Sequence, residues 1–395
     1  MIGGSGSAGP PAFDVDAALD RARILVCCGS GGVGKTTTAA ALALRAAERG
    51  RRVVVLTIDP ARRLAQSMGL TELDNTPRRV AGVGGSADGA GGRSTGELHA
   101  MMLDMKRTFD ELVLAHSDRD RAEAIIANPF YQSLSSTFSG TQEYMAMEKL
   151  SQLQADADWD LIVVDTPPTR SALDFLDAPD RLATFLDGRM LRLLLAPAKA
   201  GGRAYVKVVS AGVGMVSGVL TKIIGAQLLK DVSTFVAALE TMFGGFRSRA
   251  QATYDLLKAP GTAFVVVAAP ERDALREASY FVDRLATERM PLAGLVVNRV
   301  HRSAAEGLSA ERSIAAAEVI ERRGDDRLTP AVLRLHAERV TLAARERHLQ
   351  SRFTGAHPTV PVVEVAAFAS DVNDLDGLRR IGHDLAGGLA AAAPA

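Results

Sequence analysis

Residues Gly29 to Thr36 read Gly-Ser-Gly-Gly-Val-Gly-Lys-Thr, the spacing G-x-x-x-x-G-K-[ST]. Glycines so placed let successive backbone N–H groups turn inward and form a concave anion site. Lys35 brings a cation to the β/γ-phosphates, and the Thr36 hydroxyl is a hard oxygen ligand for Mg²⁺. The chemistry implied is phosphoryl transfer. Its cradle is Gly29, Ser30, Gly31, Gly32, Val33, Gly34, Lys35, Thr36 and Thr37, with Lys35 also acting in catalysis. A glycine-rich turn without a ligand is the competing reading. An apolar strand pattern entering at 23–27 and a helical pattern leaving at 35–49 argue against it.

A magnesium–phosphate site needs carboxylates at strand ends. Asp165 follows four apolar residues, Leu161 to Val164, and is the candidate to hold a magnesium-bound water. Asp59 ends a second apolar run and is the candidate to orient the attacking water. The expected metal-site residues are therefore Thr36, Asp59 and Asp165. A helix N-cap or turn is the alternative role for either aspartate.

The elements that must position these residues follow from the apolar runs. Short β-branched stretches at 23–27, 52–59, 98–104, 160–165, 263–269, 294–300 and 360–365 read as buried parallel strands, with helical patterns between most of them. That alternation predicts an α/β fold, a doubly wound, mostly parallel sheet with helices on both faces, which binds ligands at the carboxyl ends of its strands. Residues 1–20 read as a flexible lead-in, 21–387 as the main domain and 388–395 as a frayed tail. Residues 82–96 read as a mobile Gly-rich loop, and 181–259 as a helical insertion without strand pattern. Within the insertion, Val213, Val216, Leu220, Ile223, Ile224 and Leu228 are spaced for one helical face.

Composition narrows the function. The 395 residues carry 46 basic and 46 acidic side chains, so net charge gives no reason to expect nucleic acid. The bias of arginine over lysine, with many alanines, fits a GC-rich bacterial genome. Cys27 and Cys28 are the two cysteines. Neighbours on a strand face opposite ways and no C-x-x-C exists, so no zinc site is expected and both read as buried hydrophobes. With no apolar signal core at the start, a cytoplasmic protein is expected, peripheral to a membrane only through a partner.

Taken together, these motifs resemble the ArsA family, which holds the arsenite-pump ATPases and the ATPases that target tail-anchored membrane proteins. It lies in the deviant-Walker class of P-loop proteins. The resemblance covers about residues 22 to 387. Gly31 to Thr37 matches the class signature, Asp59 to Leu64 resembles the first switch, and Asp165 to Leu173 the second. It implies Mg²⁺ and ATP as cofactors, Asn298 as the reader of adenine, Pro270 and Glu271 as part of the base pocket, and Asp59 as the positioner of water. It also implies a dimer whose helical subdomain grips a hydrophobic client helix or membrane protein.

The departures from the family pattern are as informative. Class members carry a lysine where Ser30 stands, and that lysine reaches the nucleotide of the other subunit. Serine has neither the charge nor the reach. Arg62 replaces a histidine of the first switch, and Arg170-Ser171 a Gly-His pair of the second. The expectation is an ATPase of weak activity alone, a homodimer or one half of a heterodimer with a lysine-bearing paralogue. An arsenite-pump subunit, a partition-type ATPase and a non-hydrolysing regulatory subunit are the alternatives.

Overall fold

The computed structural model describes residues 10–58, 62–84, 96–128, 131–132, 141–156, 158–167, 251–303, 305, 307–324 and 327–387. Asp59, the switch residues Arg170 and Ser171, and the insertion as far as residue 250 lie outside them. So does the 208–229 apolar stretch. Among the described residues, no helix is long and apolar enough to cross a membrane.

The chain divides into two compact units. The first, residues 1–102, 157–172 and 257–395, holds an eight-stranded sheet. Its strands are β1 (Ile24–Cys28), β2 (Arg52–Thr57), β3 (Arg78–Arg79), β4 (Glu97–Met102), β5 (Leu161–Asp165), β6 (Thr262–Ala268), β7 (Leu292–Val300) and β8 (Val362–Ala366). Their order is β3-β4-β2-β5-β1-β6-β7-β8, parallel throughout except for the β3–β4 pair. The seven expected strands are present, and the two-residue β3 is an addition. It is too short to carry a pattern of its own.

β1 and β5 are buried along their whole length. That is why they read as unbroken apolar runs: helices cover both faces of a parallel sheet. The register sets Cys27 of β1 and Thr57 of β2 on either side of Asp165 of β5. The carboxyl ends of three central strands therefore close at one level, where a doubly wound sheet binds its ligand.

The helices of this unit are α1 (Val15–Arg21), α2 (Lys35–Glu48), α3 (Arg62–Ser67), α7 (Arg272–Thr287), α8 (Ala310–Arg323), α9 (Leu328–Ala356) and α10 (Leu375–Leu385), numbered in chain order. α2 packs against the sheet and α10. Ala39, Ala40, Ala41, Ala43, Ala46 and Ala47 are all buried. Small side chains on every face let one helix approach two layers closely, and alanine has the best helix propensity.

The N-terminal segment corrects the expectation of a flexible lead-in through residue 20. Val15 to Arg21 is a helix, capped by the Asp14 carboxylate, which accepts from Ala17 N–H at 2.9 Å. Phe13, Val15 and Leu19 are buried. Asp16 pairs with Arg45 at 2.6 Å and Asp20 with Arg49 at 2.5 Å, both partners on α2. The Phe13 N–H also donates to the Val362 carbonyl at 3.2 Å. Three apolar side chains in seven residues are too few for a clear periodicity, yet burying each contributes about 1.5–3 kcal/mol. That is enough to hold a short helix on its neighbour.

The cysteines behave as small buried hydrophobes. Cys28 Sγ donates to the Val265 carbonyl at 3.7 Å, and burial pushes its pKa up to about 12. Burial likewise raises Cys27, with the nearby Asp165 charge acting in the same direction.

The second unit, residues 103–156 and 173–256, contains α4 (Met105–His116), α5 (Arg119–Ile126) and α6 (Thr141–Ala155). Asp104 caps α4 by accepting from Arg107 N–H at 2.9 Å. Tyr131 is fully buried, donates to Asp110, and meets Phe109 edge to face at 5.4 Å. Lys149 of α6 reaches Glu111 of α4 at 3.1 Å.

Candidate functional site

The loop from Gly29 to Gly34 joins the end of β1 to the start of α2. Gly29 has φ +147°, and a Cβ there would stand 2.1 Å from the Val267 carbonyl oxygen of β6. Only a residue without Cβ lets the two backbones come so close. Gly34 sits at φ +94° in the left-handed region as the residue before α2. No side chain caps the helix there, and an uncapped helix N-terminus directs free N–H groups and a positive dipole end at a bound anion.

Lys35 is buried, and its Nζ donates to the Ser30 carbonyl at 2.7 Å. The ammonium thus bends back over the loop, held where phosphate oxygens would compete for it. Ser30 is buried too, and its Oγ has no hydrogen-bond partner among the described residues. An orphaned buried hydroxyl is costly and calls for an acceptor. A phosphate oxygen in the cradle is such an acceptor, so the loop suits the group its spacing implies.

Asp165 is buried at the carboxyl end of β5. Thr57 Oγ1 donates to its Oδ2 at 3.0 Å, and Ile58 N–H to its carbonyl at 3.1 Å. Thr166 Oγ1 donates to the Cys27 carbonyl at 2.8 Å. No group of three or more His, Cys, Asp or Glu is positioned for a metal among the described residues. Mg²⁺ does not need one, because it is commonly held by one carboxylate, a hydroxyl, phosphates and water. Thr36 and Asp165 match that donor set.

Beside the loop lies a cavity of about 550 Å³. Gly34, Thr36 and Thr37 line one part, Gln66 and Ser67 of α3 a second, Asn298 and Arg299 at the end of β7 with His301 a third, and residues 366–373, from the end of β8 toward α10, a fourth. Asn298 is buried, and its Nδ2 donates to the Val33 carbonyl at 2.8 Å. Gly34 makes room for it, since a Cβ at 34 would lie 2.2 Å from that nitrogen. Arg299 turns the chain at φ +62°. His301 is then held by Glu346 of α9, which accepts from its backbone N–H at 2.8 Å and pairs with its Nδ1 at 2.7 Å. Phe368 stands in the 366–373 segment with the Arg380 guanidinium 5.2 Å from its ring centre.

The structure thus brings Gly34, Thr36, Thr37 and Asn298 together at one cavity, next to Lys35. Pro270 and Glu271 are not among the residues that line this cavity. Pro270 is buried, and Glu271 is exposed at the head of α7. They follow β6, the strand between β1 and β7. Asp59 lies outside the described residues. Thr57, His301 and residues 366–373 went unnoticed in the sequence. Phe368, an aromatic just past a strand's carboxyl end, was the available signal.

The family model described as Anion-transporting ATPase matches residues 22–321. Among individual proteins, the chain is 30% identical over 158 residues to "ATPase GET3" of Malassezia globosa, covering 40% of this chain and 43% of that one. It is 27% identical over 274 residues to "ATPase ARSA2" of Chlamydomonas reinhardtii, 69% of this chain and 66% of that one. It is 28% identical over 165 residues to a "Putative arsenical pump-driving ATPase" of Prosthecochloris vibrioformis, 41% and 36% of the two. The matched region thus spans between about a third and two thirds of these relatives' lengths.

Proposed function

Because the chain belongs to the ArsA, or anion-transporting ATPase, family, we propose that it is a Mg-ATP-binding and hydrolysing switch, active as a dimer. Its nucleotide state would move a helical subdomain that handles a hydrophobic protein or membrane client. The observation that carries the reading is the closed set of Lys35, Ser30 and the loop glycines beside a cavity floored by Asn298. The cytoplasm is the proposed compartment.

Each residue has a task. The loop N–H groups and the Ser30 hydroxyl bind phosphate oxygens, and Lys35 exchanges its Ser30 carbonyl for them. Thr36 and Asp165 would hold Mg²⁺, which when bound offsets phosphate charge. Asp59 orients the attacking water. The Val33 carbonyl requires a donor, so the Asn298 amide presents nitrogen to the loop and keeps Oδ1 to accept. An exocyclic amine, as on adenine, satisfies that oxygen, whereas the keto oxygen of guanine repels it.

Ser30 shapes the assembly. Its short buried side chain supplies no cation to another subunit's nucleotide. A lysine-bearing paralogue would complete this chain's site without receiving the same help, which favours a heterodimer over a homodimer. Thiol capture of a metalloid, which a pump subunit would need, is poorly served by two buried cysteines.

Steady-state phosphate release by the purified chain, alone and with Lys35→Ala or Asp59→Asn, tests the reading. Hydrolysis that either substitution lowers by at least about a hundredfold supports a self-sufficient ATPase. ATP binding without turnover supports the half-site, or a non-hydrolysing regulatory subunit. Failure to bind ATP at all sinks the proposal.

A further inference from the structure

These assignments leave the Thr57 hydroxyl without a role. Thr57 closes β2, fully buried, and the register pairs it with Asp165. Its Oγ1 reaches Asp165 Oδ2 at 3.0 Å, while the next backbone N–H, of Ile58, holds the Asp165 carbonyl. On the far side, Thr166 is tied to β1 through Cys27. The backbone around Asp165 is thus gripped from both neighbouring strands, and Thr57 grips the carboxylate itself.

A carboxylate turns easily about its last torsion, because sp³–sp² rotations are broad. A donor fixed on a strand narrows that rotation and settles which oxygen faces the loop. Partners that orient a metal-binding carboxylate in this way commonly change metal affinity by about 10- to 100-fold. We propose that Thr57 is a positioning residue: it holds Asp165 in the orientation that serves Mg²⁺ and so governs the magnesium-dependent part of ATP affinity. This inference rests on the Mg-ATP reading of the site.

A fluorescent ATP analogue titrated into the full chain, once with Mg²⁺ and once with EDTA, reads that part as the ratio of two dissociation constants. The wild type shows a ratio well above one. Thr57→Val, close in size and suited to a strand, lowers the ratio about tenfold by weakening the Mg²⁺ arm alone. Thr57→Ser, which keeps the hydroxyl, restores it. A wild-type ratio of one overturns the magnesium reading and this inference together. A normal wild-type ratio that Thr57→Val leaves unchanged overturns the inference only. Equal weakening in both arms does the same, since it marks a hydroxyl that merely supports the fold. Thr57→Ala provides the same comparison should Thr57→Val fail to fold.

Discussion

The phosphate loop and the adjoining cavity sit side by side but are built in different ways. The loop is a single run, Gly29 to Lys35, and its contacts are mostly with itself and the strands beside it: Lys35 to Ser30, Gly29 against Val267. The cavity draws on segments far apart in sequence: the loop's own end, the end of α3, the end of β7 with the residue after it, and residues 366–373 with Ile381 of α10. The bond from Asn298 to Val33 joins the two regions across 265 positions of sequence. Phosphate binding needs only backbone groups at fixed spacing, which a short local motif supplies. Recognition of a base needs a shaped wall, which distant segments must assemble.

If the loop is as tightly specified as this comparison implies, Gly29→Ala has the largest effect. The new Cβ would meet the Val267 carbonyl at 2.1 Å, and strain of that kind costs on the order of 3 kcal/mol. Urea unfolding should show the loss, and affinity for ATP should fall with it, because the cradle must shift to accommodate the methyl group.

Asn298→Ala sharpens the comparison by cutting the link between the regions. It leaves the Val33 carbonyl without its donor. Nucleotide affinity should weaken about 10- to 100-fold, in line with 1–3 kcal/mol for an abandoned buried partner. The preference for ATP over GTP should shrink toward parity in competition titrations. Weaker binding with the preference intact would mean that Asn298 serves the loop alone.

The smallest effect belongs to the α1 clamp, away from both regions. The Arg45 hydrogen bond holds the Asp16 carboxyl below its ordinary value of 3.8. A lowered folded-state value means that the stabilisation is fully present above the ordinary value. It is lost as pH falls through the folded one. Asp16→Asn should therefore cost under about 1 kcal/mol near neutral pH. Its unfolding midpoint should also fall less steeply than the wild type's as the pH drops from about 7 to about 3.

Much of the fold was legible because buried parallel strands are apolar on both faces, and seven of the eight stand out for that reason. The Gly29–Thr36 spacing and Asp165 were legible because their chemistry depends on local order: strand, loop, helix, and a carboxylate closing an apolar run. The helix at Val15–Arg21 was not, since its identity comes from packing on α2 rather than from its own pattern. Nor were the roles of Thr57 and His301. A threonine in a strand and a histidine after one are ordinary in sequence, and only register and the approach of α9 give them Asp165 and Glu346 as partners. The sequence by itself determined the phosphate-loop motif and so the chemistry proposed for it, since backbone spacing and one cation suffice for that motif. Tertiary structure alone decided which distant side chains meet the loop, because strand order and register, not proximity along the chain, set those distances.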